Sequence, residues 1–162
     1  MQPSTATADY RLERRLRAEA IIRKLRARLG AVLAGFPVEI AYLHGSVARG
    51  CPLPTSDVDL AVVLSEPMPD VVGRLKVELR IQEAVEKACG LTAVDVRAIN
   101  VAPVTALGEI VQEGLCLYAR NTSRRADFES LTRRKYFDYR PTAERMQAAF
   151  LEQVRRKGLR RG

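Results

Sequence analysis

Two aspartates one residue apart, Asp57 and Asp59, follow a Gly45–Ser46 pair across ten intervening residues, and this spacing constrains the chain more than any other feature. In full the stretch reads Ala41-Tyr-Leu-His-Gly-Ser-Val-Ala-Arg-Gly-Cys-Pro-Leu-Pro-Thr-Ser-Asp-Val-Asp-Leu-Ala-Val-Val-Leu64. An apolar run ends in Gly-Ser, a Pro-rich connection comes next, and a second apolar run opens on the two carboxylates. Side chains on a strand alternate with period two, so Asp57 and Asp59 project from the same face. Adjacent carboxylates repel each other unless a hard cation sits between them. Oxygen ligands at this spacing suit Mg²⁺, which prefers a few carboxylates plus substrate phosphates to an all-protein cage. Gly-Ser before a helix start offers backbone N–H groups and a hydroxyl to a phosphate. Either half alone is ordinary, a turn or a solvated strand end. At usual residue frequencies the combination arises by chance about once in 10⁵ starts. Together the halves describe a site for a metal-bound nucleotide.

The pattern Gly45-Ser46, ten residues, Asp57-Val-Asp59 resembles the signature of the polymerase β-type nucleotidyltransferase superfamily, and of its minimal members in particular. The resemblance covers residues 35–120, and more weakly the whole chain. In that family a later strand supplies a third carboxylate. The candidate is Asp95, in Leu91-Thr-Ala-Val-Asp-Val-Arg-Ala-Ile99. Alternation puts Ala93, Asp95, Arg97 and Ile99 on one face and Val94, Val96 and Ala98 on the other. An aspartate so placed has either a ligand or Arg97 as its partner.

The resemblance also implies roles. Asp57 and Asp59 would ligate two Mg²⁺ ions about 3.5–4 Å apart, with Asp95 completing the first and accepting the proton of the attacking hydroxyl. Gly45 and Ser46 would cradle the β- and γ-phosphates of ATP. Arg49 adds a guanidinium fork within reach of them. Ser56 would brace Asp57, and Gly50 would serve the backbone turn. His44, the sole histidine, reads as packing at the strand end. No Ser–His or Cys–His pair stands ready for covalent catalysis. Nucleotidyl transfer needs little beyond alignment and charge neutralisation.

Periodicity predicts an α/β (α+β) fold, with a small mixed β-sheet flanked by helices. A helix is expected over 9–29, with Leu12, Leu16, Ile22, Leu25 and Leu29 as its apolar positions and Gly30 as its end. Strands are expected over 38–43, 57–64 and 91–99, and an edge strand over 115–120. Asp70 is a candidate N-cap for a helix running to Cys89 and stopped by Gly90. Pro103 can open a short helix to Glu113. Beyond Asn121, Phe128, Leu131 and Tyr136 form one weak stripe that ends before Pro141. Ala143, Met146, Phe150 and Val154 form a second stripe, and residues 157–162 are expected to fray. The organisation expected is a core with its N-terminal helix over 1–120 and a basic helical extension over 121–162, packed on the core or on a partner.

Charge and cysteines bound the setting. The net charge is +8, yet residues 1–119 hold 14 basic and 14 acidic side chains, whereas residues 120–162 hold 13 and 5. Such a tail can meet an acidic protein surface, nucleic acid or solvent; nucleic acid is the less favoured partner. Cys51, Cys89 and Cys116 are scattered, without a CxxC pair, and read as reduced thiols. No apolar run approaches a membrane span and the N-terminus lacks a signal-peptide pattern, so the expected location is cytoplasmic, with no membrane partner.

The length of chain left beyond the core bears on the acceptor. Relatives that modify tRNA ends or antibiotics carry a sizeable extra domain, whereas only a short basic tail is left here. With its Tyr136-Phe-Asp-Tyr139 the chain therefore resembles the minimal nucleotidyltransferase (MNT) antitoxins of HEPN–MNT toxin–antitoxin pairs, which often end in a similar acidic-aromatic-tyrosine stretch. That resemblance implies transfer of AMP from ATP to a tyrosine of a HEPN ribonuclease toxin. The rivals are a small-molecule, aminoglycoside-type nucleotidyltransferase and a non-catalytic antitoxin acting by binding alone.

Overall fold

The structure is a computed structural model that describes residues 5–68 and 70–157. Its elements run α1 (Thr5–Leu33), β1 (Val38–His44), α2 (Gly45–Ala48), β2 (Val58–Leu64), α3 (Val71–Cys89), β3 (Val94–Ala98), α4 (Val104–Glu113), β4 (Leu115–Ala119) and α5 (Thr122–Lys157). The four strands form one mixed sheet in the order β3-β2-β1-β4. β1 pairs antiparallel with both β2 and β4, and β2 pairs parallel with β3. The fold class read from the sequence is borne out, and β4 is an edge strand as expected.

Alternation gives each face of the sheet its own core. One face buries Val38, Ala41, Leu43, Val58, Leu60, Val62, Val94 and Val96 under α1 and α3, whose Leu25, Leu29, Leu33, Ile81 and Val85 are closed to solvent. The other face buries Ile40, Tyr42, Ala61 and Ile99 with Val111 of α4, and Phe128 of α5 packs on this cluster. The helices thus lie on both faces, leaving the strand ends at Gly45 and Asp59 open.

The termini of α3 match the sequence reading. The Asp70 carboxylate accepts hydrogen bonds from the N–H groups of Val72 and Gly73, at 3.2 and 2.7 Å, satisfying donors that a helix start leaves unpaired. Gly90 closes the helix in the left-handed region at φ 58. β3 starts at Val94, three residues later than the alternation suggests. The Leu91 N–H returns to the Glu86 carbonyl (3.1 Å) as part of the helix end, and Ala93 sits at φ 56, which breaks the extended chain.

Two helices overrun their expected ends. α1 passes Gly30 and continues to Leu33. The reason is burial: Leu33 is fully buried, one turn beyond Leu29 on the same stripe. Burying a leucine is worth about 1.5–3 kcal/mol, against about 1 kcal/mol for glycine inside a helix. Leu12 and Leu16 are 56% and 55% exposed, so the N-terminal part of the expected stripe does not join the core.

α5 is one helix through Pro141, where the two stripes were expected to separate. Asn121 caps it by accepting from the Ser123 and Arg124 N–H groups at 2.9 and 3.1 Å. Proline removes a single donor, and the Phe137 carbonyl that loses it sits on a half-exposed turn. Of the segment expected to fray, residues 158–162 lie outside the described residues.

Candidate active site

The site is built where β1 ends and β2 and β3 begin. β1 runs out at His44, which lies opposite Asp59 in the antiparallel register. The chain turns at once into α2, a single helical turn anchored by the fully buried Val47. Gly45 takes φ +71, a conformation glycine adopts without steric cost. A Cβ at this position would overlap the Asp59 carboxylate. The bare Gly45 Cα therefore makes the space in which Asp59 stands.

Parallel pairing of β2 with β3 places Asp59 directly beside Asp95. Asp57 lies just before β2 and is exposed. All three aspartates thus lie at one end of the strands, beside the Gly45–Ser46 turn. The Asp95 carboxylate is engaged by the Arg97 Nε at 3.1 Å. Of the two partners the sequence allows Asp95, a ligand or Arg97, the structure shows Arg97. Among the described residues no group of three His, Cys, Asp or Glu side chains is close enough to hold a metal ion as it stands.

Electrostatics show what the carboxylates lack. Burial raises the Asp59 carboxyl above its ordinary value; His44 and Arg49 oppose this, while Asp95 and Asp57 add to it. Burial likewise pushes the His44 imidazole below its ordinary value, against the pull of Asp59 and Asp95. A half-buried carboxylate crowded by two others is a hard-oxygen donor set, and its repulsion is relieved by a divalent cation. The residue types suit Mg²⁺, and Asp57, Asp59 and Asp95 are the side chains that could hold it.

A cavity of about 100 Å³ opens at this turn, lined by His44, Gly45, Arg49, Glu109, Ile110 and Glu113. Arg49 sits at its rim with a guanidinium nitrogen 4.0 Å from the Glu113 carboxylate. Ser56 lies elsewhere: its hydroxyl oxygen accepts from the Leu53 N–H (2.8 Å), and it lines a separate cavity with Arg17, Lys24 and Gly90. Gly50, at φ +71, serves the turn after α2 as read from the sequence. Glu109 and Glu113 were not singled out in the sequence. The signal available was their i, i+4 spacing on α4, which puts both on one helix face.

The sequence profile of the family described as "Polymerase beta, Nucleotidyltransferase" matches residues 29–123, more than half of the chain. No curated protein matches in sequence. Among solved structures, the crystal structure of a toxin–antitoxin with AMP-PNP shares 20% identity at a TM-score of 0.54, covering 85% of this chain and 97% of the other. The tri-AMPylated Shewanella oneidensis HEPN toxin in complex with MNT antitoxin gives 19% identity and a TM-score of 0.51, covering 87% and 98%. The toxin–antitoxin MntA–HepT gives 19% and 0.50, covering 86% and 97%. At these identities the likeness is one of fold.

Proposed function

The chain belongs to the polymerase β nucleotidyltransferase family, and from that premise we propose that it moves AMP from ATP to a tyrosine of a HEPN-type toxin and so neutralises it. The observation that carries the transferase chemistry is the pairing of Asp59 with Asp95 beside a glycine whose missing Cβ makes room for the carboxylate. What supports the choice of acceptor is the fold shared, over nearly the full length of the matched chains, with toxin–antitoxin structures. One of these carries AMP-PNP, and another an AMPylated HEPN toxin.

In the proposed reaction the tyrosine hydroxyl oxygen attacks the α-phosphorus of ATP. The bond from that phosphorus to the bridging oxygen breaks, and pyrophosphate leaves. Asp95, once released from Arg97, accepts the hydroxyl proton. The Gly45 and Ser46 N–H groups and the Ser46 hydroxyl bind the β- and γ-phosphates, and Arg49 exchanges Glu113 for the same oxygens. Mg²⁺ held by Asp57, Asp59 and Asp95 would supply the charge neutralisation that phosphoryl chemistry requires. His44 fills the strand end beside Asp59, and burial holds its imidazole below its ordinary value.

The test is the intact mass of a HEPN toxin encoded beside this protein, after incubation with it, ATP and Mg²⁺. A gain of one or more AMP units, absent with Asp57→Asn, is expected. A stable, neutralised complex without mass gain would contradict modification and favour neutralisation by binding.

A further inference from the structure

The connection between Ser46 and Asp57 joins the phosphate-binding turn to the metal-binding carboxylates, so its shape sets the distance between them. It cannot hold that shape as a strand would, because Pro52 and Pro54 have no N–H to donate. Its internal hydrogen bonds are few: Gly50 N–H to Val47 O (3.1 Å), Cys51 N–H to Ser46 O (2.9 Å), Ser56 N–H to Leu53 O (3.0 Å) and Leu53 N–H to the Ser56 hydroxyl (2.8 Å). The carbonyls of Cys51, Pro52 and Pro54 receive their donors from α1, nearly forty residues upstream. The Arg14 guanidinium straddles two successive carbonyls, donating from Nε to Pro52 O (3.2 Å) and from a terminal nitrogen to Cys51 O. One turn later Arg17 donates to Pro54 O at 2.7 Å. The Arg14 guanidinium carbon also lies over the Tyr10 ring, 5.5 Å from its centroid.

This part of α1 has little other reason to lie where it does. Leu12 and Leu16 are more than half exposed, and from Asp9 onward the first buried residue of the helix is Ala18. We infer that Arg14 and Arg17 are positioning residues of the transfer reaction: a clamp from α1 that fixes the Cys51–Pro54 backbone, and through it the spacing of Ser46 from Asp57. A planar fork suits the task, since one guanidinium reaches two carbonyls in fixed geometry and an ammonium reaches one. The inference rests on the nucleotide-binding reading of the Ser46 turn, and the experiment separates the two.

The experiment compares Arg14→Met/Arg17→Met with the wild type and with Arg15→Met, whose guanidinium pairs with Glu19 on the same helix instead. Amide hydrogen exchange over residues 49–57, calorimetric affinity for AMP-PNP with Mg²⁺, and the thermal midpoint are read together. The double variant is expected to exchange about tenfold faster in the connection and to bind AMP-PNP about tenfold more weakly. Its KM for ATP rises while kcat at saturation stays close to wild type, because bound nucleotide restores the loop. Arg15→Met behaves as wild type, and Arg14→Lys falls between. Should the double variant fold poorly, Arg17→Met alone carries the test, since Arg17 is exposed. Faster exchange confined to residues 9–17, with the connection unchanged, would overturn the clamp and leave a mere tether for α1. Wild-type affinity despite a loosened connection would also overturn it. A wild-type chain that binds no nucleotide would instead sink the reading of the Ser46 turn.

Discussion

At the residue scale, Gly45 and Asp59 occupy one another's space. Gly45→Ala would put a Cβ into the Asp59 carboxylate from a backbone at φ +71. The left-handed conformation alone costs an L-residue about 1–2 kcal/mol, and displacement of Asp59 should remove activity outright. Urea unfolding with a parallel transfer assay checks both parts. A variant that loses stability but keeps turnover would show that Asp59 need not stand there. A second residue-scale prediction concerns Tyr42, whose hydroxyl donates to Glu129 at 3.0 Å across the sheet–α5 contact. Burial pulls the Glu129 carboxyl upward, but hydrogen bonds from Arg125 and Tyr42, with the charges of Arg125 and Arg133, hold it below its ordinary 4.5. Its contribution is therefore complete above the ordinary carboxylate range and is lost as pH falls through 4.5 and below. Burial and Glu129 raise the Tyr42 phenol above its ordinary 10.0, so that contribution is complete below pH 10 and is lost as pH rises beyond it. Stability measured against pH should form a plateau between the two limits. Glu129→Gln should flatten the acid limb.

At the scale of elements, the open edge of the sheet shows how side chains finish what strand pairing leaves undone. β3 has a partner on one side only, and two of its outward N–H groups are met by α3: Val94 donates to Glu86 (3.0 Å) and Ala98 to Glu78 (2.8 Å). Glu78 is only 6% exposed. Glu78→Ala should cost about 1–3 kcal/mol by leaving a buried donor unmet, read as a lower urea midpoint with an unchanged slope. α4 and α5 meet through the bare Cα of Gly108, where a Cβ would overlap the Tyr136 ring. Gly108→Ala should cost about 1–3 kcal/mol in overpacking, and it should also disturb Glu109 and Glu113 at the cavity. Elements were legible in the sequence where local chemistry decides them. The Asp70 cap, the Gly90 stop, the alternation of β2 and the Gly45-Ser46 to Asp57-Val-Asp59 spacing all lie within short windows. Gly30 and Pro141 misled because their local penalties, about 1 and 3 kcal/mol, were outweighed or tolerated in tertiary context. Arg14 and Arg17 were illegible because they reach the Cys51–Pro54 connection only through folding, and the i, i+4 spacing of Glu109 and Glu113 gives a helix face without saying what that face meets.

At the scale of the whole molecule, residues 1–119 are neutral in net charge and the helix that follows is basic. α5 meets the body chiefly through α4, and its distal half exposes Met146, Phe150 and Leu151 beside arginines. No helix among the described residues is long and apolar enough to cross a membrane. Nucleotidyl transfer breaks the bond between the α-phosphorus of ATP and its bridging oxygen, whereas kinase chemistry would move the γ-phosphate. The most direct measurement traces radiolabel from ATP, placed at the α- or at the γ-phosphate, onto a HEPN toxin in the presence of Mg²⁺. Label from the α-position alone should reach the toxin, and Asp59→Asn should abolish it. Label arriving from the γ-position, or α-label undiminished in Asp59→Asn, would contradict nucleotidyl transfer from this site.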